Sequence, residues 1–386
     1  MKNHSNYLEK TLQFIVLIVL FSACSNGLKQ LQKGNFDEAV FTSVERLQKS
    51  SDNTKALAVL HDAYPLAVEN HKRAIRSFEN SQEPFRWEKA LAEYQQLNKI
   101  HDMIARSSVS VREVGMPQSY INEAESARRL AADERYQAGM MAMNSKENRM
   151  AAKDAINHFQ RVNDLIPNYK DVNQRLDGAF QYATYRVIIE PVHDVFRLRS
   201  NEYQTLQEAF NREIFRSKLP SQFVKYYTTI DVQKESFPIH EIVKMSLVNM
   251  SLPIKTVNSS IENFTKSVKT GTKRNKDSTV VDVYKDVTAR ITTYTKTIVM
   301  NGTMEMKVFD YKTNALITQE VRNEAYTWTD SWQKFEGNPE ALNGKKVPTA
   351  TGYGNVEPSE FTFFTNISNQ FANYYQGRLR KAYRDM

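Results

Sequence analysis

The sequence predicts an α+β multidomain chain: an N-terminal α-helical array followed by an α+β domain with an antiparallel meander sheet and a C-terminal helix. Three observations carry this. From Leu28 to Ala179 apolar residues recur every three or four positions with few glycines, the period of helices packed by one face. After Tyr185 the pattern changes to β-branched and aromatic residues at two-residue spacing, most plainly between Val280 and Trp328. Phe361 to Tyr383, aromatic-rich and helical in spacing, closes the chain. The expected organisation is a signal peptide over 1–23, a helical domain over 24–182 and the α+β domain over 183–386.

The first segment reads FIVLIVLFSACSN from Phe14 to Asn26, after Lys2 and Lys10. Its run of about ten strongly apolar residues is far short of the ~20 needed to span a bilayer, which argues for a cleaved signal over an anchor. Phe21, Ser22, Ala23 and Cys24 resemble the lipobox of bacterial lipoproteins, with Phe21 where leucine is usual. The resemblance implies cleavage before Cys24 and attachment to the membrane through acyl chains on it, each buried methylene contributing ~0.8 kcal/mol. No aspartate follows Cys24, and the acidic cluster that marks surface-exported lipoproteins is missing. By the same resemblance the mature chain is expected on the periplasmic face of the outer membrane.

With 41% hydrophobic and 25% charged residues, the 386-residue chain is an ordinary folded sequence. The single cysteine excludes an internal disulfide and any cysteine metal cluster. Formal net charge is +8, falling to +7 when a leader with Lys2, Glu9 and Lys10 departs. That charge is dispersed, which argues against a nucleic-acid partner. The densest basic run, Lys266, Lys269, Lys273, Arg274 and Lys276, reads as an exposed loop that could touch acidic cell-wall polymer or lipid.

In the helical half, Ala90, Tyr94, Leu97 and Asp102 share their relative offsets with Ala155, Phe159, Val162 and Pro167. These residues resemble the second helix of a tetratricopeptide repeat, in which a small residue admits a neighbouring helix and an aromatic four positions on fills the groove. Gly34, Asn35, Phe36 and Ala39 resemble another repeat's turn; Leu57, His61 and Tyr64, then Tyr136 and Gly139, stand at first-helix offsets, and Tyr169 to Val172 open a further helix. Pro65 reads as an interruption, and Ser107 to Gln118, with Gly115 and Pro117, as a loop. The resemblance implies about three degenerate units and a concave groove for a peptide or helix, for which Asn98, Asn157, Arg161 and Asn163 are lining candidates. The alternative is a helical spacer.

In the second half, Val187 to Val192 predicts a buried strand, Asn201 to Phe215 a helix ended by Pro220, and Phe223 to Ile230 and Ile242 to Leu252 further strands. Asn301-Gly302 predicts a tight hairpin turn and Asp310 to Asn314 a second, giving a three-strand meander covered by the last helix. The phrase Val308 to Ile317 is similar to the strand-turn-strand core of small α+β domains in curli-export lipoproteins and activators of peptidoglycan synthases. It carries no functional residue over.

Catalytic patterns fail on inspection. No metal-ligand pair of HExxH type and no GxSxG elbow occurs, and Gly344-Lys345 lacks the earlier glycine and the hydroxyl of a phosphate loop. His193-Asp194 and His240-Glu241 are adjacent residues, which on a strand face opposite ways. Acid pairs such as Glu320 with Glu324, or Asp330 with Glu336, could supply the carboxylates of a glycosidase, with solvated strand ends as the alternative. Neither metal nor cofactor is expected. Tyr326, Trp328, Trp332 and Phe335, ahead of a long loop from Gly337 to Pro358, are candidate partner anchors, with core packing as the alternative.

The expectation is a non-enzymatic scaffold or assembly component of an envelope complex, with a glycan- or nutrient-binding helical-repeat lipoprotein and a cell-wall hydrolase as alternatives. Cys24→Ala is expected to abolish acylation and leave an uncleaved or soluble chain; membrane fractionation with mass spectrometry of the N-terminus checks it, and a variant that still fractionates as mature outer-membrane protein refutes the lipobox.

Overall fold

Caps and spacing set the helices of the N-terminal half. The computed structural model describes residues 26–349 and 354–386, so the leader and Cys24 lie outside the described residues. α1 (Asn26–Gln32) turns at Gly34, φ +80°, into α2 (Phe36–Lys49). Asn53 accepts from the Ala56 amide at 3.0 Å to start α3 (Thr54–Glu79), and α4 is Arg86–Ala105. α5 (Ser108–Val114) and α6 (Ile121–Met143) follow, then α7 (Arg149–Leu165), capped by the Asn148 side chain, and α8 (Val172–Ala183). The main helices pack in chain order, α2 on α3, α3 on α4, α4 on α6, α6 on α7 and α7 on α8, which makes an array.

Two expectations change here. The segment from Ser107 to Gln118 is not all loop: the Ser107 hydroxyl accepts from the Ser110 amide and starts α5, which ends at Gly115, φ +77°. Nor does Pro65 interrupt α3. Proline deprives the His61 carbonyl of its amide partner, but both residues are on the exposed face, where water can replace it, while Leu60, Ala63 and Ala67 stay buried on the other.

The best-interlocked pair is α6 with α7. A Cβ on Gly139 would sit 2.5 Å from the Phe159 ring, so glycine is what lets that fully buried ring lie against α6. One turn earlier Tyr136 meets Phe159 at 6.1 Å and donates to Asp171, tying in the start of α8. Between α2, α3 and α4, His71 is 6% exposed with a carboxylate on each nitrogen: Glu93 at 2.5 Å from Nδ1 and Asp37 at 2.9 Å from Nε2. The Asp37 hydrogen bond, helped by Glu93 and opposed by burial, holds its pKa above the ordinary histidine value.

The chain divides between Ala183 and Thr184 into two units, and the second is a mixed sheet with helices, completing the α+β multidomain arrangement. Its strands are β1 (Tyr185–Ile189), β2 (His193–Asp194), β3 (Val224–Tyr227), β4 (Glu241–Met250), β5 (Ile254–Arg274), β6 (Val280–Asp310) and β7 (Leu316–Gly337). β6 is the spine. β7 pairs antiparallel along one edge; β4 and β5 pair antiparallel, end to end, along the other; β1 and then β3 continue parallel beyond β4. α9 (Ser200–Phe210) runs on into a π-helical turn, Asn211–Phe215, and packs against α10 (Glu360–Ala382). Phe363, Phe364, Ile367, Phe371 and Tyr375 of α10 share one core with Ile298, Met300, Met304, Met306 and Val308 of β6.

The meander is present, but its turns are not all where the sequence puts them. Asn301 and Gly302 lie within β6, paired with Ala325 and Glu324 of β7. The glycine serves approach: a Cβ there would meet the Phe371 ring at 3.0 Å and Met250 Sδ at 3.0 Å. The Asp310 turn does form, with the carboxylate accepting from the Thr313 amide and hydroxyl at 2.7 Å each. The strand expected over Phe223 to Ile230 is the shorter β3, followed by a 3-10 turn, Asp231–Lys234. The basic run Lys266 to Arg274 is not a loop; it forms the end of β5, leaving Lys276 in the turn to β6.

β6 also changes its buried face. Even-numbered residues from Ile298 to Val308 lie under α10, whereas Ala289 and Ile291 belong to a second core with Ala341 and Leu342. β7 ends at Gly337, φ +110°, where any Cβ would collide with the Thr288 carbonyl, and a 3-10 turn over Pro339–Leu342 covers this opposite face.

Gly139→Val is expected to destabilise the helical unit by about 2–3 kcal/mol through overpacking, and Gly178→Ala, with nothing within 4 Å of the new Cβ, to stabilise it by about 0.4–1 kcal/mol; urea denaturation checks both. For His71 the folded pKa lies above the unfolded one, so its stabilisation is full below the unfolded value and is lost as pH rises through the folded value. His71→Gln is therefore expected to cost about 1–3 kcal/mol near pH 6 and less near pH 9, measured by paired denaturation curves.

Candidate functional site

On α4, Ala90, Leu97, Ile100 and Ile104 are buried. The 3.6-residue period then turns Asn98, Lys99, Asp102 and Arg106 to a different side of the same helix. There they face Ile121, Ala124, Glu125 and Arg128 from the first two turns of α6 across a groove of about 430 Å³. Ala124, 6% exposed, keeps the floor narrow; Ile121, 63% exposed, stands at the groove's edge with Met103 opposite as apolar contact points.

The polar side chains of the groove divide into committed and free groups. Asn98 accepts the Tyr120 amide at 2.7 Å and so fixes where α6 begins. Arg128 pairs with Glu125 at 3.0 Å, and Asp102 with His101 at 3.1 Å. Lys99 lies 4.6 Å over the Phe41 ring, and among the described residues neither Lys99 nor Arg106 has a carboxylate partner. A groove bounded by two helices, with apolar contacts and two unneutralised cations, fits an extended or helical peptide bearing acidic groups.

The sequence-predicted residues fall as follows. Ala90, Leu97, Ala155 and Phe159 are buried between helices. Tyr94 is part-buried against Tyr120 and donates to Glu79 at 3.0 Å; burial and that carboxylate push its pKa up to about 12. Pro167 is exposed just beyond the end of α7. Of the groove candidates only Asn98 lines it. Arg161 joins Arg135 on Glu88, where the two guanidinium groups outweigh burial and hold the carboxyl below its usual range; Asn163 bonds Asn173 and the Asn168 amide.

The four aromatics of β7 do not form one patch. Tyr326 and Trp328 pack on the main core, Tyr326 edge-on to Phe363 at 5.3 Å. Trp332 stacks on Tyr294 at 5.4 Å with Lys296 over its ring, and Phe335 joins the small core under the 3-10 turn. The carboxylates are equally engaged. Glu320 accepts from Tyr374 and Arg378, Glu324 from Arg322, Asp330 from the Asn355 amide and side chain, and Glu336 pairs with Lys334. Glu241 accepts from Tyr185 and Tyr383, and His240 from the Arg186 amide. Lys345 pairs with Glu262 at 2.9 Å.

A second cavity, about 390 Å³, opens at the carboxyl ends of β1 and β3 beside the π-helical turn. It is lined by Val192, Phe210, Ile214 and Met245, and the Gln207 amide in its wall is bound to the Val192 backbone.

Lys99, Met103, Arg106 and Ile121 were missed in the sequence, although the helical period that places Ala90 and Leu97 inward also puts Lys99, Met103 and Arg106 along one side of the helix, with Met103 partly packed on the core. Among the described residues no cluster of three or more histidine, cysteine or acidic residues could hold a metal, and no helix is long and apolar enough to cross a membrane. Compared with models of known protein families and with curated protein sequences, the chain shows no match to either.

Proposed function

We propose that this protein is an acylated, periplasm-facing outer-membrane lipoprotein that serves as a non-enzymatic scaffold or assembly component of an envelope complex. The observation that carries the scaffold reading is the groove between α4 and α6, where Lys99 and Arg106 stand beside Ile121 and Met103 without carboxylate partners among the described residues. The lipobox-like sequence ending at Cys24 supports the place, and Glu320, Glu324, Asp330 and Glu336 are each held in hydrogen bonds or ion pairs. The helical unit binds a partner segment; the second unit contributes surface to the same assembly.

Cross-linking in intact cells followed by purification of the full chain tests this. A defined protein companion is expected, and Lys99→Glu with Arg106→Glu is expected to lower its recovery at least tenfold with the fold intact by circular dichroism, since two reversed charges in a partly desolvated groove cost about 2 kcal/mol or more. Recovery of the chain with no companion, or unchanged recovery from the double variant, refutes it. Cleavage of purified sacculi by the wild-type chain would point to a hydrolase instead.

A further inference from the structure

The pairing of β6 with β7 ends at Ala289 and Gly337, but β6 and β5 continue together to the Val280–Arg274 pair. This leaves a two-stranded ribbon about 30 Å long at ~3.4 Å per residue. An isolated ribbon has no core of its own. Directly paired residues share a face and successive ones alternate, so the register assigns each side chain to a face, with the bulge between Lys269 and Gly271 resetting the count on β5.

The two faces differ in charge. One carries Asp282 and Asp286 against Lys269, with Lys269 paired to Asp282 at 2.5 Å and Ser267 bonded to Asp286. The other continues the row of Phe264 and Val287 out of the small core as Val268, Val283 and Val281, alternating with Lys266, Lys285 and Lys273. Val281 and Val283 are 43% and 40% exposed. Beyond Val287 this face has no carboxylate, and among the described residues none of its three lysines has an ion-pair partner.

The geometry points to this valine–lysine face as a docking surface for an anionic phospholipid bilayer. It is a strip two strands wide on which aliphatic and cationic side chains alternate. Its aliphatic row is short enough to rest at the depth of the headgroups, and the flanking ammonium groups complement acidic headgroups. The opposite face, on which Asp282 and Asp286 offset Lys269 and Arg274, has no net positive charge to draw it to such a surface, although Val280 and Tyr284 are exposed on it. The inference rests on the envelope reading for its compartment, but its test uses a chain without acyl groups, so a failure here is distinct from a failure at Cys24.

The experiment uses the full chain with Cys24→Ser and one new cysteine, Val283→Cys on the valine–lysine face or Thr272→Cys on the other, labelled with an environment-sensitive fluorophore. Mixed with phosphatidylglycerol vesicles at low salt, the label at 283 is expected to shift to the blue and to be quenched by a lipid-borne quencher, while the label at 272 stays in water. Phosphatidylcholine vesicles and high salt should remove the response. Lys266→Gln, Lys273→Gln and Lys285→Gln together should weaken it on the order of a hundredfold, with the strand signal in circular dichroism unchanged; Val281→Ser is a second variant expected to weaken it. No response at 283 on phosphatidylglycerol overturns the proposal, as does an equal response at 272. A response to purified peptidoglycan that exceeds the response to vesicles would assign the face to a polymer and overturn it as well.

Discussion

The strict two-residue alternation of a β-strand is the constraint from which the second unit is built. β6 has 31 residues and carries apolar side chains on its even positions from Ile298 to Val308, then on odd positions at Ala289 and Ile291. A strand cannot rotate its side chains to suit, so each stretch needs its own cover on its own side. α10 provides one and the 3-10 turn over Pro339–Leu342 the other. The chain between them must cross from face to face, and Gly337 is where it leaves β7. Asp330 holds the returning segment by both the Asn355 amide and side chain, and Glu357 bridges Lys255 and Lys296 just before α10 begins. The long connection that looks like a binding loop in the sequence thus has a structural task along much of its described length.

The helical unit solves a different problem, that of holding similar helices in one order. Size does this at the Gly139–Phe159 contact, where only glycine leaves room for the ring. Charge does it at His71, which joins α2 and α4 through carboxylates on both nitrogens. When protonated, His71 is the one cation between two carboxylates, so its loss leaves Asp37 and Glu93 facing each other without compensation. With these contacts keeping the order, the outward sides of α4 and α6 are free to vary in charge, and the groove lies there.

Much of this arrangement was legible from periodicity alone: the helical half, the change of pattern after Tyr185, the meander and the covering helix. What misled was local chemistry read without its surroundings. Asn301-Gly302 has the composition of a turn, but the glycine is required by Phe371 on a helix 69 positions downstream, which no short-range rule detects. Pro65 has the composition of a break, yet its exposure on α3 makes the lost hydrogen bond inexpensive. The basic run from Lys266 has the composition of a loop because a two-stranded ribbon open on both faces need not hide polar residues on either. The groove escaped because its residues are ordinary surface types whose meaning comes from the helix opposite.

The length of β6 has one more consequence. At ~3.3 Å per residue it extends roughly 100 Å, and its cross-strand hydrogen bonds run perpendicular to it. A pull applied at the ribbon tip along the strand would load those bonds side by side in shear, so that many must yield together, instead of opening one after another as a zipper does. The unit therefore resists extension along β6 better than peeling across it.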